Sequence, residues 1–294
     1  MDEREVLAQQ FEEHRRRLRH VAYRMLGSLS DADDALQEAW LRLNRSDAGS
    51  IGNLSGWLTT VVAHVCLDML RSRVRRREES LAGATPEPRS PAIHTADPEE
   101  EALMADSVGL ALLVVLDRLA PAERLAFVLH DVFAMPFEEI APLVGRSAEA
   151  ARQLASRARR RVQGGAIPSE ELMGQRKVVD AFVEALRAGD FDGLVAVLDP
   201  ELVVHADLGA GGAPGPVEVH GAEVWARQAM AFAKGAIYAR LAMVDGSIGA
   251  ILAPRGHLTR ALLFSFADGR ISRIEVIANS ERLEKLDLAM VPWP

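Results

Sequence analysis

Residues 137–162 read FEEIAPLVGRSAEAARQLASRARRRV, and the punctuation of this stretch decides the fold of the segment around it. A short apolar run stops at Gly145, a residue that closes a helix without steric cost, and Ser147 stands where a second helix needs a side-chain acceptor for its first free N–H groups. Helix, tight turn, helix is the spacing of a helix-turn-helix. At 100° per residue, Ala148, Ala151, Leu154, Ala155, Ala158 and Val162 share the inner side of the second helix. Glu149, Arg152, Gln153, Ser156 and Arg160 fall on the outer side, flanked by Arg157 and Arg159. Such side chains read base edges and clamp phosphates.

Working outward, Pro121 and Pro136 divide the upstream segment into helices predicted over 102–118, 122–133, 137–143 and 147–163. Residues 79–101 hold four prolines and no periodicity, and read as an acidic, Pro-rich linker. Before it, the apolar periodicity predicts helices over 5–26, 30–43 (capped by Ser30, with Asp31, Asp33 and Asp34 in the first turn) and 54–77, with a loop over 45–52. Trp57, Val61, His64 and Asp68 lie near one stripe of the third helix, which ends in the basic run Arg71–Arg77. A ring beside arginines suits unstacked bases, because stacking and phosphate attraction act together. Gly164, Gly165 and Pro168 mark a second boundary. Beyond it, two helices within 173–198 precede short β-rich runs at 202–206, 237–244, 248–254, 258–266 and 271–277. The Asp245-Gly246 and Asp268-Gly269 pairs between these runs are strong hairpin signals. The expected architecture is two all-α domains, residues 1–78 and 102–163, followed by an α+β domain over 170–290 with an antiparallel sheet.

The net charge of −8 is unevenly placed. Residues 79–101 and 164–294 carry −5 each, whereas the two helical segments are near neutral and bunch their arginines at Arg71–Arg77 and Arg152–Arg161. Two local basic clusters on an acidic chain fit contact with DNA at two places. There is no apolar run of membrane-spanning length and no signal-peptide core, so no membrane partner and a cytoplasmic protein are expected. The single cysteine, Cys66, sits in an apolar stretch and reads as a buried structural thiol. His64 has no partners at ligand spacing, and neither a metal nor another cofactor is expected.

Three stretches resemble the extracytoplasmic-function RNA polymerase sigma factors. SDADDALQEAWLRL (30–43) is similar to their region 2.2, GWLTTVVAHVCLDMLRSRVRR (56–76) to regions 2.3 and 2.4, and residues 116–162 to regions 4.1 and 4.2. The resemblance implies core RNA polymerase, through its β and β′ subunits, as partner of Asp33, Asp34, Gln37, Glu38 and Arg42. It implies promoter DNA as the other partner. The −10 element falls to Asn53, Trp57, Thr60, His64, Arg71, Arg73, Arg75 and Arg76, and the −35 element to Arg146, Ser147, Glu149, Arg152, Gln153, Ser156, Arg157 and Arg160.

Residues 173–290 resemble the SnoaL-like group, cone-shaped α+β folds with a pocket; VDAFVEALRAGDFDGLVAVLDPELVVHAD (179–207) matches its opening pattern. A subgroup of these sigma factors carries such an extension in place of a separate anti-sigma protein, so none is expected here. The resemblance gives regulatory roles to Pro86-Glu87-Pro88 in the linker, to Asp207, Gly209, Gly211 and Gly212 in ADLGAGGAP (206–214), and to Asn279 and Arg282 near the end. The ADLGAGGAP loop lacks the lysine found in that subgroup.

The rival reading is a helix-turn-helix regulator fused to a SnoaL-like sensor or enzyme. His205 and Asp207 alternate along a strand and so share a face, and His220 and Glu275 are candidates to join them at a pocket mouth in proton transfer. An acidic helix followed by a Trp-bearing basic helix is not something a simple repressor needs, so the reading adopted has no catalytic residues. Any ligand of the C-terminal domain is unspecified.

Overall fold

The computed structural model describes residues 3–46, 51–83, 109–164, 169–207, 216–231 and 233–291. Pro86, Glu87 and Pro88, and Gly209, Gly211 and Gly212, lie outside the described residues. The chain forms two compact units, residues 1–108 with 116–159, and residues 109–115 with 160–294.

In the first unit, α1 (Glu3–Leu26), α2 (Leu29–Arg45) and α3 (Leu54–Gly83) form a three-helix bundle. Its core is the apolar stripe of each helix, including Leu18, Val21 and Met25 from α1, Leu29, Ala32, Leu36 and Leu43 from α2, and Leu58, Val62, Cys66 and Leu67 from α3. The helix α2 starts earlier than its sequence suggests. Its cap is Ser28, whose hydroxyl accepts from the Asp31 N–H, and not Ser30. Leu29 is thereby drawn into the core at 2% exposure, and its burial fixes the start of the helix.

After α4 (Leu110–Asp117) the chain continues through α5 (Pro121–Phe127), with proline at its first position where no N–H partner is lost, and a π turn over Val128–Val132. Helices α6 (Phe137–Val144) and α7 (Ala148–Gln163) follow.

The C-terminal ends of helices leave carbonyls without partners, and α1 solves this with arginines from distant parts of the chain. Arg73 of α3 donates to the Leu26 carbonyl at 3.0 Å and pairs with Asp31 at 2.6 Å. Arg124 of α5, only 2% exposed, donates from Nε and Nη2 to the Arg24 carbonyl at 3.3 and 3.2 Å and from Nη1 to Asp117 at 3.2 Å. Burial pushes the Arg124 guanidinium below its ordinary value, opposed by Asp117. The cost is tolerated because Nε, Nη1 and Nη2 each donate to an oxygen, and because a cation at a helix C-terminus complements the dipole.

In the second unit, α8 (Glu170–Ala188) is capped by the Ser169 hydroxyl and closed by Gly189 in the left-handed conformation, and α9 (Phe191–Ala196) is capped by Asp190. Then come β1 (Leu198–Asp207), β2 (Pro216–His220), α10 (Ala222–Met230), β3 (Ala239–Val244), β4 (Ser247–Leu252), β5 (Arg260–Ala267), β6 (Arg270–Ile277), α11 (Ser280–Lys285) and β7 (Leu288–Ala289). The sheet order is β2-β1-β6-β5-β4-β3-β7. It is mixed and not the antiparallel sheet expected: β1 runs parallel to β6, because α10 and the β3–β5 meander intervene between them. Both Asp-Gly pairs make the tight turns expected of them, each Asp and Gly at positive φ, joining β3 to β4 and β5 to β6. Helices α8 and α10 cover one face, where Phe182 stacks on Trp225 at 5.6 Å and meets Phe264 edge-on at 5.2 Å.

Candidate nucleic-acid interface

The helix-turn-helix forms as its punctuation dictates. Gly145 adopts φ +66°, its N–H reaches the Pro142 carbonyl, and the Arg146 N–H reaches Ala141 at 3.0 Å, closing α6. The Ser147 hydroxyl accepts from the Ala150 N–H at 3.2 Å and opens α7. Ala151, Ala155 and Ala158 are fully buried and Val162 nearly so, with Leu154 half-buried beside them; small side chains let α7 sit close to its neighbours. Arg146, Glu149, Arg152, Gln153, Ser156, Arg157 and Arg160 are exposed.

The arginines of α7 are not equivalent. Arg159 pairs with Asp131 of the π turn at 2.5 Å, and Arg157 lies 3.7 Å from Glu123 of α5, so both brace the helix. Arg152 pairs with Glu149 at 2.7 Å and its guanidinium lies 5.2 Å over the Phe137 ring, itself stacked on His130. Arg146 and Arg160 make no ion pair among the described residues, and with Gln153 and Ser156 they form the open part of the outer face.

On α3, Asn53 caps the helix by accepting from the Gly56 N–H at 3.0 Å. Trp57, Thr60 and His64 are half-buried along one stripe, with His64 Nδ1 3.1 Å from the Thr60 carbonyl, and Arg71 and Arg75 continue that stripe in the open. Arg73 does not belong to it. It stands about 160° around the helix from Trp57 and is spent on Leu26 and Asp31. Arg76 is exposed and donates to the Ser72 hydroxyl at 3.3 Å.

On α2, Asp33 is tied to Arg19 by two hydrogen bonds of 2.8 and 3.0 Å, and Glu38 to Arg42 at 2.9 Å. Asp34 and Gln37 are exposed beside Leu41, an apolar side chain left 40% exposed. Asp34 and Gln37 also line a groove of about 370 Å³ between α1 and α2, floored by Phe11, Leu36 and Trp40. An apolar floor rimmed by carboxylates is a surface suited to a basic protein partner. Leu41 was not apparent in the sequence as a surface residue, because it follows Trp40 in an apolar-looking run.

The four titratable residues considered for proton transfer lie on the wrong side of the sheet. Val204 and Ala206 of β1, Val217 and Val219 of β2 and Val276 of β6 line the cavity of the α+β domain. The alternating His205, Asp207, Glu218, His220 and Glu275 therefore face the opposite way. Glu218 holds His205 at 3.3 Å and His220 at 2.7 Å. Asp207 accepts from the Ala278 and Asn279 N–H groups at 2.6 and 3.2 Å and from Arg282 at 2.6 Å, and Arg282 also pairs with Glu275. Hydrogen bonding to Glu275, then to Asp207, pushes the Arg282 guanidinium above its ordinary value. Asn279 caps α11 by accepting from the Arg282 N–H at 3.1 Å. These are structural knots; among the described residues no cluster of His, Cys, Asp or Glu could hold a metal.

A helix-turn-helix and a separate aromatic-basic helix beside an acidic face, joined to an α+β domain, define a multidomain DNA-binding transcription factor. Residues 10–76 match Sigma-70 region 2, and residues 109–162 match Sigma-70, region 4. The chain is 38% identical over 288 residues to the ECF RNA polymerase sigma factor SigJ of Mycobacterium tuberculosis, covering 93% of this chain and 92% of that protein. It is 33% identical over 298 residues to the probable ECF RNA polymerase sigma factor SigI of the same species, covering 97% and 98%. The crystal structure of SigJ aligns at 34% identity and a TM-score of 0.46, covering 94% of this chain and 98% of that one. The chain belongs to the extracytoplasmic-function RNA polymerase sigma factors. It serves promoter-specific transcription initiation, and its family is one of transcription factors and not of enzymes. No helix of the described residues is long and apolar enough to cross a membrane.

Proposed function

We propose that this cytoplasmic sigma factor docks on the β′ and β subunits of core polymerase through Asp34, Gln37, Glu38 and Leu41 of α2. The Trp57–His64–Arg71–Arg75 stripe of α3 receives the melted −10 strand, and Arg146, Gln153, Ser156 and Arg160 of α7 read the −35 element. The C-terminal domain modulates this activity within the same chain, without a dedicated anti-sigma protein. The observation that carries the reading is the sorting of arginines: Arg73 and Arg159 are engaged internally, while Arg71, Arg75, Arg146 and Arg160 stand exposed on two helix faces.

Run-off transcription with purified core polymerase tests it. Replacing both Asp34 and Glu38 with Lys is expected to weaken co-purification with core polymerase about tenfold or more, because like charges then face a basic partner, with helicity unchanged. Undiminished pull-down would overturn the docking assignment. Arg160→Ala is expected to weaken transcription by about 1–3 kcal/mol in apparent affinity at some −35 sequences and not others. A uniform loss across promoter variants would reduce α7 to a phosphate clamp.

A further inference from the structure

The cavity of the α+β domain has about 250 Å³ of free space. This is larger than the ~150 Å³ apolar cavity that accepts benzene, and leaves room for an apolar body of about ten carbons. Alanines keep it open. Ala206, Ala229 and Ala236 stand in its wall where Leu or Met would close it, and Trp225 supplies a flat aromatic side. The strand alternation that lines it with Val204, Val219 and Val276 turns His205, Asp207, Glu218, His220 and Glu275 outward, so among the described residues its lining holds neither a general base nor a nucleophile.

Among the described residues of the wall, two carry polar side chains, Gln228 and Arg260. Gln228 is exposed and Arg260 half-buried, so the polar end of the cavity lies toward its mouth. A guanidinium and an amide in the lining of an otherwise apolar slot select an anionic acceptor carried on an apolar body.

We infer that this cavity is a binding site for a small amphipathic monoanion. Its apolar body, an alkyl chain or fused rings of about ten carbons, enters between β1, β2 and α10, and its carboxylate is held at the mouth by Arg260 and Gln228. The site does not depend on the assignment of the DNA-binding faces.

Titration calorimetry of the full-length protein with decanoate, 1-decanol and decyltrimethylammonium tests the site and its charge preference. Decanoate is expected to bind at one site per chain with a negative heat-capacity change, at least about tenfold tighter than the other two. Arg260→Gln is expected to reduce decanoate to the level of decanol while leaving decanol unchanged. Ala229→Phe and Val219→Phe, which fill the space, are expected to remove binding of both; two positions are used so that a failure of either variant to fold leaves the other to decide. Absence of decanoate binding, equal affinity for the three amphiphiles, or decanoate binding that survives both filling variants would each overturn the inference. Retention of wild-type preference in Arg260→Gln would do the same.

Discussion

Replacing Arg124 with Ala is expected to lower stability by about 3 kcal/mol, roughly 6–12 °C in melting temperature, and to open the Cys66 thiol to alkylation. Arg124 ties the last turn of α1 to α5, and its loss strips two donors from the Arg24 carbonyl, removes the partner of Asp117 and leaves a void. Cys66 reports on that place. It is fully buried, the only cysteine of the chain, and close enough to Arg124 and Arg73 to feel their charge. Burial pushes its thiol up to about 12, so at pH 8 the native thiol stays protonated and unreactive. The sign is that of an acid with a raised folded value. Its contribution to stability is fully present below pH 9 and is lost as pH rises from 9.0 toward about 12. Alkylation at pH 8 therefore waits for local opening, which the Ala variant should accelerate about tenfold for each 1.4 kcal/mol of stability lost. Arg124→Met separates the causes. It refills the volume but donates nothing to the carbonyl, so it should recover part of the loss. Unchanged melting and unchanged Cys66 protection in the Ala variant would show that α1 and α5 do not depend on this residue.

Such a role was not legible in the sequence, and the reason is general to this chain. Arginine serves here as buried cap (Arg124), as half-buried cap (Arg73) and as brace (Arg159), and stands exposed at Arg160, while a count of basic residues sees only two clusters. Helical phase separates them. Arg73 lies across the helix from Trp57, whereas Arg71 and Arg75 continue its stripe, and that phase was readable once the helix was placed. The helix-turn-helix was legible because Gly145 and Ser147 fix its geometry through local chemistry alone. The α+β domain was legible as a class, and its two Asp-Gly hairpins by position, because positive φ at both residues leaves few alternatives. Strand β2 escaped notice because five residues after a Gly- and Pro-rich stretch give too little alternation, and β7 is two residues long. Alternation correctly put His205 and Asp207 on one face, but period two cannot say which face is the inner one. Only the closure of the sheet around Val204 and Ala206 decides that, and with it sets aside the proton-transfer reading.

Asp207→Ala is expected to change run-off transcription several-fold. Arg282→Ala is expected to move it in the same direction by less, and the double variant to match Asp207→Ala alone. Asp207 accepts three hydrogen bonds, two of them from the Ala278 and Asn279 N–H groups that lead into α11. Bonds to an ionised carboxylate contribute about 1.5–3 kcal/mol each, so this side chain anchors the entry to the helix. Arg282 is 47% exposed, and its ion pairs are discounted to about 1 kcal/mol. Beyond α11 the chain forms β7, and the Met290 N–H then donates at 2.7 Å to the Val162 carbonyl in the last turn of α7. That carbonyl has no partner within its own helix, so the tail completes the end of α7. If α7 reads the −35 element as proposed, loosening the tail at Asp207 should alter −35 dependence with unchanged binding to core polymerase. Hydrogen exchange supplies an independent readout: amides of 279–290 should exchange faster in Asp207→Ala than in Arg282→Ala. If exchange accelerates as expected while transcription from strong and weak −35 promoters is unaltered, the tail is an inert closure of the domain and the regulatory role of Asp207 is lost.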